Sequence, residues 1–465
     1  MQRKKNSELG VIVGNEDLME IKSFSGTLEA CGHSTPITFS VSISHAGKIN
    51  FDFGVIPLTQ ETAYIKTLFY KESPKSEVFT LSGTSDDGTE FKTKDLYFTC
   101  LNDSWSKEAG SQMRPDGNCR CAELHRILDE ISPKPFLRMC VKGLKSRFEL
   151  RATSSLGAIV MNGFKSLDDP DTITGSITIQ PETNPVDLSD WHEKAEKLLE
   201  HIRRVMFVAS AAILQVPIIE YIVGNKCEIT VFSQLKHAPS SMDVIHIHDL
   251  QPFFEAAIKS LFNPPVQVKN LFFAIEWFSM DSSYSEVRLV NAMTALENLV
   301  DSNLDDTDAL IQSANEFEKT RKVLRQVIKE CVAKWPDEDA KKAGEVVSAL
   351  NENLANLNRR SIFEKIKRLA ELWSVSFDGI SDKQLRSAKK ARDLIVHRGN
   401  YYEAGEDNSD DLWEHVAVIR EIVVRFLLTA INYKGSYCSY LGGYHITQFP
   451  PQASDLNCCE EETLS

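Results

Sequence analysis

The hydrophobic residues change their spacing partway along this chain, and that change limits the folds it can adopt. Two runs near the N-terminus place them at alternate positions: Ile37, Phe39, Val41 and Ile43, then Ile49, Phe51, Phe53 and Val55. From about residue 267 onward they recur at every third or fourth position instead. Alternation is typical of half-buried strands, and the longer spacing is typical of amphipathic helices. The sequence therefore predicts a multidomain α+β protein with a β-rich first part and a helical second part.

The β-rich part is predicted to span residues 1–187 as a sandwich-like domain. Turn signals separate its short runs, with "SHAG" between the two runs above and Asp87-Gly88 further on. Many short alternating runs with polar turns favour an all-β sandwich or barrel. The stretch "PETNPVDLSD" ends this region, and Asp190 with Glu193 has the spacing of a capping box that begins a helix near residue 191.

Three further regions are predicted after this boundary. Residues 188–265 have the pattern of a connecting α/β segment, with a hairpin signal at Gly224-Asn225. Residues 266–435 predict an all-α bundle, because long helical patterns follow one another with short connections. Residues 436–465 end in a polar, acidic stretch and are predicted to be a C-terminal tail.

Length and composition limit the class of protein. A chain of 465 residues exceeds what one hydrophobic core usually supports, so we expect two or three domains. The start, "MQRKKNSELGVIVG", lacks the apolar segment of a signal peptide, and the longest apolar run, "VMFVASAAILQVPII", is interrupted and too short to span a bilayer. Ten irregularly spaced cysteines do not form a secreted disulfide framework. We therefore expect a cytoplasmic protein with no membrane partner.

Positive charge is concentrated in one segment of an acidic protein. The net charge is −14, which taken alone argues against a nucleic-acid partner. Residues 359–398, however, hold eleven Lys and Arg against five Asp and Glu, a local net charge of +6. Affinity for phosphate depends on local charge. The segment predicts either a polyanion-binding surface or an ordinary solvated helical face.

The stretch "ARDLIVHRG" places an arginine on the apolar stripe of a predicted helix that begins near Asp382. Leu385, Ala388, Arg392 and Ile395 follow spacings of three, four and three residues. A guanidinium in that position needs an anionic partner or a functional role, because charges are seldom buried unpaired.

The same helix is predicted to end at a histidine. Gly399 follows His397 closely and is suited to a left-handed C-cap. The negative end of the helix dipole favours an imidazolium there. His397 could then move the proton of an RNA 2′-hydroxyl while Arg392 holds the phosphate, with Asp393 as a polar neighbour. The predicted RNA contacts are the basic residues around them: Lys383, Arg386, Lys389, Lys390 and Arg398.

A structural interpretation of the same residues stays open. Arg392 could pair with a carboxylate of the bundle, and His397 could serve only to end its helix. The pattern itself is weak, because Arg120 and His125 repeat it in a region of strands and loops. Only the C-terminal pair has a helical setting, a terminating glycine and basic neighbours.

In its C-terminal helical setting, "ARDLIVHRG" resembles the signature of the HEPN ribonucleases: arginine, a polar residue, three to five further residues, then histidine. With a β-rich N-terminal half and "EVRLVNAMTALENLV" at the start of the bundle, the chain is similar to the bacterial ApeA-like HEPN proteins of anti-phage defence. The match covers residues 267–432, and catalytic roles in that family map onto Arg392 and His397, with Asp393 between them.

That resemblance implies an activity and partners. It implies a metal-independent endoribonuclease that needs no cofactor for catalysis, that cleaves tRNA or other host RNA, and whose site is composed from two chains. It also makes a phage-derived trigger a candidate partner of the N-terminal half. The rival interpretation is a non-catalytic protein that uses the bundle for dimerisation and binds RNA or another ligand.

Helix geometry gives an independent reason to expect at least a dimer. Five residues advance an ideal helix by about 500°, so Arg392 and His397 point roughly 140° apart and do not converge on one phosphate. A two-fold axis beside the helix would bring the histidine of one chain near the arginine of the other. The apolar stripe of Leu385, Ala388 and Ile395 would then form the interface.

A second group of residues predicts a structural zinc ion. If "AELHRILDEI" is helical, Cys121 and His125 lie one turn apart on one face, and Cys100 with Cys119 could complete a tetrahedral site. Four protein ligands leave no open position, so such a zinc would be structural. Buried free cysteines beside a solvated histidine are the alternative.

Overall fold

The alternating runs are paired strands in the computed structural model, as their spacing predicts. Val41 lies opposite Phe51, and Ile43 lies opposite Ile49, in antiparallel register. The turn signal at Asp87-Gly88 likewise joins two antiparallel strands.

The structure describes residues 22–44, 47–70, 78–108, 110–144, 148–163, 172–233, 242–280, 282–335, 340–401 and 409–451. The chain divides into two compact units, Met1–Phe262 and Asn263–Ser465. The division falls close to the predicted start of the helical part at residue 266.

The first unit contains most of the strands. Its elements are β1 (Lys22–Ala30), β2 (His33–Ile43), β3 (Ile49–Asp52), β4 (Ile56–Pro57), α1 (Ala63–Phe69), β5 (Phe79–Ser85), β6 (Glu90–Ser106), β7 (Gly110–Asn118), β8 (Cys121–Lys142), β9 (Glu149–Ser154), β10 (Gly157–Gly163), β11 (Gly175–Gln180), α2 (Leu188–Ser210), β12 (Gln215–Phe232) and α3 (Leu250–Phe262). The described strands of this unit form one connected antiparallel sheet, in the order β3-β2-β1-β5-β6-β8-β11-β10-β9, with β12 on β8, β7 on β6 and β4 on β7. A sandwich has two separate sheets, whereas the strands of this unit form a single connected sheet.

Strand β8 is buried on both faces over its last eight residues. Phe136 and Cys140 belong to a core rich in phenylalanine that the strands from β1 to β8 share with β12. On the opposite face, Met139 lies opposite Ile177 of β11, in the layer that α2 and α3 cover. Alternate residues of one strand thus serve two cores.

A buried ion pair joins β8 to β12. Arg138 contacts Glu220 directly opposite it, and their side chains are 8% and 0% exposed. Removing one partner of such a pair leaves an uncompensated buried charge. The pair therefore strongly favours this strand register.

The predicted connecting segment 188–265 does not stand apart, because α2, β12 and α3 all belong to the first unit. Helix α2 begins at Leu188, and its N-cap is Asp187, whose side chain accepts bonds from the next turn, so the predicted capping box at residues 190 and 193 was wrong. The predicted hairpin at Gly224-Asn225 was also wrong. Strand β12 runs through Gly224 with shifts in register on either side of it.

The second unit is mainly helical. Its elements are α4 (Leu271–Ser279), α5 (Ser285–Asn303), α6 (Ala314–Val332), α7 (Ala340–Asn353), a short 3-10 helix (Leu354–Asn358), α8 (Ile362–Trp373), α9 (Asp382–Arg398), α10 (Ser409–Ala430), β13 (Gly435–Ser439) and β14 (His445–Phe449). Helix α5 is central, since it packs against α4, α8, α9 and α10. None of the helices within the described ranges is long and apolar enough to cross a bilayer.

The start of the predicted tail, residues 436–465, is an ordered hairpin. Glu421 of α10 is 2% exposed and accepts hydrogen bonds from Tyr437 and, at 2.8 Å, from Ser439 of β13. Arg425 pairs with the same carboxylate at 2.9 Å. This buried network fixes the β13–β14 hairpin on α10. Residues 452–465 lie outside the described range.

A buried histidine in the first unit joins its two long helices. His201 of α2 is 8% exposed, and its Nε2 lies 3.1 Å from the carbonyl oxygen of Ala257 and 2.9 Å from the hydroxyl of Ser260, both on α3. Burial lowers the pKa of His201 to about 4.

We predict that the first unit loses stability as the pH falls from 6.5 towards about 4. The folded pKa lies below the unfolded one, so the unfolded chain binds the proton more readily, and stability present above pH 6.5 is lost on acidification. Urea unfolding at a series of pH values measures this loss. His201→Gln should flatten the profile in that window, whereas His192→Gln on the same helix should not. An unchanged slope in His201→Gln would contradict the assignment.

Candidate active site on helix α9

Helix α9 begins and ends as the sequence predicts. Ser381 caps its N-terminus and forms a capping box with Gln384. At the other end Gly399 has a φ of 81°, and its N–H donates to the carbonyl of Ile395 at 2.8 Å. A left-handed residue there favours glycine. The helix ends at Arg398, one residue beyond His397.

The apolar stripe of α9 is part of the core of its own unit. Leu385 is 2% exposed, Ala388 is fully buried and Ile395 is 9% exposed. Helix α9 packs against α5 and α10. The prediction that this stripe forms an interface between two chains was therefore wrong, because one chain already covers it.

Arg392 points towards α5, where it meets a carboxylate. Its Nη2 donates to Oε2 of Glu297 at 2.6 Å, and its Nη1 donates to Oδ1 of Asp393 at 3.2 Å. The Nε of Arg392 is buried without a hydrogen-bond partner among the described residues. A guanidinium has five N–H donors. Two of them are used here and Nε is inaccessible, so two hydrogens on the Nη atoms remain to bind an anion.

Asp393 lies between two cations. Lys389, one turn earlier on α9, also pairs with its carboxylate. Burial alone would raise the pKa of Asp393, but the hydrogen bonds from Lys389 and Arg392 hold it below its ordinary value. Asp393 is therefore ionised and restrains Arg392, and Lys389 is less available to RNA than the sequence predicts.

Glu297 is not among the site residues that the sequence predicts. This residue follows Leu296, a member of the apolar face of α5, and its side chain is 27% exposed. Burial raises the pKa of Glu297 above its ordinary value, while Arg392 acts in the opposite sense. A single acidic residue at the edge of an apolar stripe was the available signal. Its pairing with Arg392 depends on how α5 and α9 cross, which the sequence does not encode locally.

The remaining basic residues of α9 face away from the core. On an ideal helix Lys383, Arg386, Lys390 and His397 fall within a sector of about 60°, opposite the buried stripe. All four are exposed, as is Arg398 beside them. The guanidinium of Arg386 lies over the ring of Phe363, with Cζ 4.1 Å from the ring centroid. We call Lys383, Arg386, Lys390 and His397 the basic face.

Arg392 and His397 do not converge within one chain. Helix α9 is regular over both residues, so their side chains leave it about 140° apart. Arg392 is held towards α5, whereas His397 lies on the basic face. In the described part of the chain no hydrogen bond joins His397 to Arg392 or Asp393.

The predicted zinc ligands are not arranged as expected. The stretch "AELHRILDEI" is part of strand β8, so the helix on which the pairing of Cys121 with His125 depended does not form. Four residues of strand separate them by about 13 Å. Burial raises the pKa of Cys119 to about 12, and Cys100 is exposed with its sulfur 3.6 Å from Asn102 Oδ1. Among the described residues no group of three or more His, Cys, Asp or Glu is placed to hold a metal ion. The geometry therefore does not support this zinc site.

Comparison with known proteins finds no matching family model, no matching curated protein and no matching solved structure. The resemblance to HEPN ribonucleases therefore stays a prediction, carried by the residues of α9.

We predict that Arg392 and Glu297 stabilise the second unit as a pair. Each half-buried charge loses its partner when the other is removed, so Arg392→Ala and Glu297→Ala should show a coupling energy of about 1 kcal/mol, between values for exposed and buried pairs. Urea unfolding of both single variants and the double variant measures it.

The matched control is Glu193 with Lys197 on α2, whose side chains are 68% and 69% exposed. That pair should give a smaller coupling energy of about 0.3–0.5 kcal/mol. If the two ion pairs gave equal coupling energies, the contact between α5 and α9 would not depend on Arg392.

Proposed function

We propose that the protein is a metal-independent endoribonuclease of the HEPN type, in which His397 and Arg392 act on the phosphodiester. The observation that carries the proposal is the placement of His397. It is an exposed imidazole at the C-terminal end of a helix, on the same face as Lys383, Arg386 and Lys390. A base next to three cations is suited to an RNA backbone.

In the proposed reaction an RNA 2′-hydroxyl attacks the adjacent phosphorus. His397 takes the hydroxyl proton, the 2′-oxygen bonds to phosphorus, and the bond to the 5′-oxygen breaks as that oxygen gains a proton from water. The products are a 2′,3′-cyclic phosphate and a 5′-hydroxyl. The two Nη hydrogens of Arg392 that Glu297 and Asp393 leave unused would hold the non-bridging oxygens, whose charge grows in the transition state.

The carboxylates around Arg392 limit how it can bind a phosphate. Glu297 holds the guanidinium from the side of α5, and Asp393 occupies part of the surface that a phosphate would use. Phosphate bonds bidentately to a guanidinium and can compete with the longer contact to Asp393. Glu297 would then act as the positioning residue and Asp393 as the group that the substrate displaces.

The biological role that we propose follows the resemblance to anti-phage HEPN proteins. Host RNA, such as tRNA, is the proposed substrate, and a phage-derived trigger is the proposed activator. The β-rich first unit is the proposed sensor, because no catalytic residue of the proposal lies in it.

A non-catalytic RNA-binding protein is the second candidate. The observation that favours it is the full charge compensation of Arg392 by Glu297 and Asp393. In that case Arg392 holds two helices together, and the basic face binds RNA without cleaving it.

We predict that the purified protein cleaves total RNA in EDTA and that His397→Ala abolishes cleavage. His397 is exposed, so its variant should keep the wild-type melting temperature. Arg392→Ala should also be inactive, but it should melt earlier because Glu297 loses its partner. A gel of the RNA and a thermal melt of each variant give the two measurements.

His445→Ala, which removes an exposed histidine from strand β14, is the control and should cleave like the wild type. RNA with a 2′-deoxy substitution at the scissile nucleotide should resist cleavage, since it lacks the nucleophile. Wild-type cleavage by His397→Ala would refute the catalytic role and favour the second candidate.

The separation of Arg392 from His397 leads us to propose a site shared by two chains. Since the apolar stripe is buried within one chain, the contact between chains must use exposed residues of α9 or its neighbours. A two-fold axis near the basic face would bring His397 of one chain to Arg392 of the other.

We predict that two inactive variants restore activity when mixed. In a heterodimer of Arg392→Ala and His397→Ala, one of the two shared sites is intact, so random pairing should recover about a quarter of the wild-type activity. Cleavage after mixing and subunit exchange, with light scattering to measure mass, tests this. No recovery from a confirmed heterodimer would place both residues of a site in one chain.

A further inference from the structure

The second unit contains a cavity that the proposed reaction does not use. Its volume is about 400 Å³, and the loops after α5 and before α8 form much of its wall. The residues that line it are Asp301, Leu304, Asp306, Ala309, Leu310, Arg359 and Lys365. We call it the α5–α8 cavity. Pockets for small ligands begin at about 300 Å³.

The walls of this cavity are held in place by hydrogen bonds. Leu310 and Arg359 form a β-bridge, and Asn358 accepts from the N–H of Ile311 through its carbonyl at 2.8 Å. The amide side chain of Asn358 bonds in both directions to the backbone of Gln312, at 2.9 Å each. Asn358 is 4% exposed. The cavity is therefore formed before a ligand arrives.

Apolar, cationic and anionic side chains line the cavity. Leu304 and Leu310 supply apolar surface. Arg359 and Asp306 supply a cation and an anion, and neither side chain has a hydrogen bond or ion pair within the described ranges. Lys365 and Asp301 supply a second pair of charges, joined at 2.8 Å.

This combination is typical of a site for a planar, neutral, polar ring. Apolar side chains and a guanidinium plane can pack on the faces of a nucleobase, and a carboxylate can accept from its amino group. An anion alone would meet two carboxylates in the same wall, which makes a simple phosphate site unfavourable.

The cavity lies beside the pair that holds Arg392. Asp301 follows Glu297 by one turn of α5, about 6 Å along the helix. The two carboxylates interact, since Asp301 contributes to the raised pKa of Glu297. A ligand in the cavity is therefore within reach of a chain whose phosphate lies at Arg392.

We propose that the α5–α8 cavity binds a single nucleobase of the RNA substrate, next to the phosphate that is cleaved. This inference rests on the proposed function for the identity of the ligand, but the cavity itself does not depend on it. Arg359 stacks on the base, and Asp306 accepts from its amino group. The cavity thereby selects which base lies beside the cleaved bond.

The test has a binding arm and a cleavage arm, both with the full-length protein. Titration calorimetry with the four 5′-ribonucleoside monophosphates measures binding, and inorganic phosphate is the reference probe. Sequencing of RNA ends after cleavage measures the base preference. The variants are Arg359→Gln and Asp306→Asn, and Arg325→Gln on α6 is the matched control outside the cavity.

We expect at least one nucleotide to bind more tightly than phosphate and both cavity variants to weaken it about tenfold, while Arg325→Gln does not. The base preference at the cleaved bond should flatten in the same variants. Binding of phosphate as tight as that of every nucleotide, or no nucleotide binding at all, would overturn the proposal even if RNA is cleaved. Nucleotide binding with an unchanged base preference would assign the cavity to a free nucleotide and overturn the RNA assignment. Absence of RNA cleavage in the wild type would contradict the proposed function, and the binding arm would still decide whether the cavity takes a nucleobase.

Discussion

Burial of one stripe of α9 fixes the direction of every other side chain on that helix. The small residues Ala388 and Ala391 face the core together with Leu385 and Ile395, all at most 9% exposed. Small side chains allow close helix approach. Once this face is turned towards α5 and α10, Arg392 must lie at the edge of the core and His397 on the solvent side. The separation of arginine from histidine is thus a consequence of packing rather than of flexible side chains.

The charge of the segment 359–398 overstates the number of cations available to a polyanion. Many of its Lys and Arg residues are paired with carboxylates: Lys365 with Asp301, Lys367 with Asp382, Arg368 with Asp308, Lys389 with Asp393 and Arg392 with Glu297. Three of these carboxylates come from α5 and the loop after it, outside the basic segment. Lys383, Lys390 and Arg398 are exposed and have no such partner among the described residues. The positive electrostatic potential of the basic face therefore depends on a few residues.

Local patterns predicted local structure well in this chain. Alternation located β2 and β3, and Gly399 located the C-terminal end of α9, because strand spacing and helix caps are encoded by neighbouring residues. The predictions from sequence were wrong where contacts between residues far apart in the chain determine the local structure. The segment "AELHRILDEI" has charged residues at helical spacing, yet it pairs as a strand with β12, more than eighty residues later. Glu297 is not predicted for the same reason, since its partner lies on another helix.

Strand β8 has a consequence for how the first unit comes apart. Over its last eight residues its side chains alternate between the phenylalanine-rich core and the layer under α2, and its partner β12 pairs with it along most of its length. Neither core can open without breaking a strand that the other also uses. The two cores of this unit should therefore open together in hydrogen exchange. No intermediate should appear in which one core is open and the other is still folded.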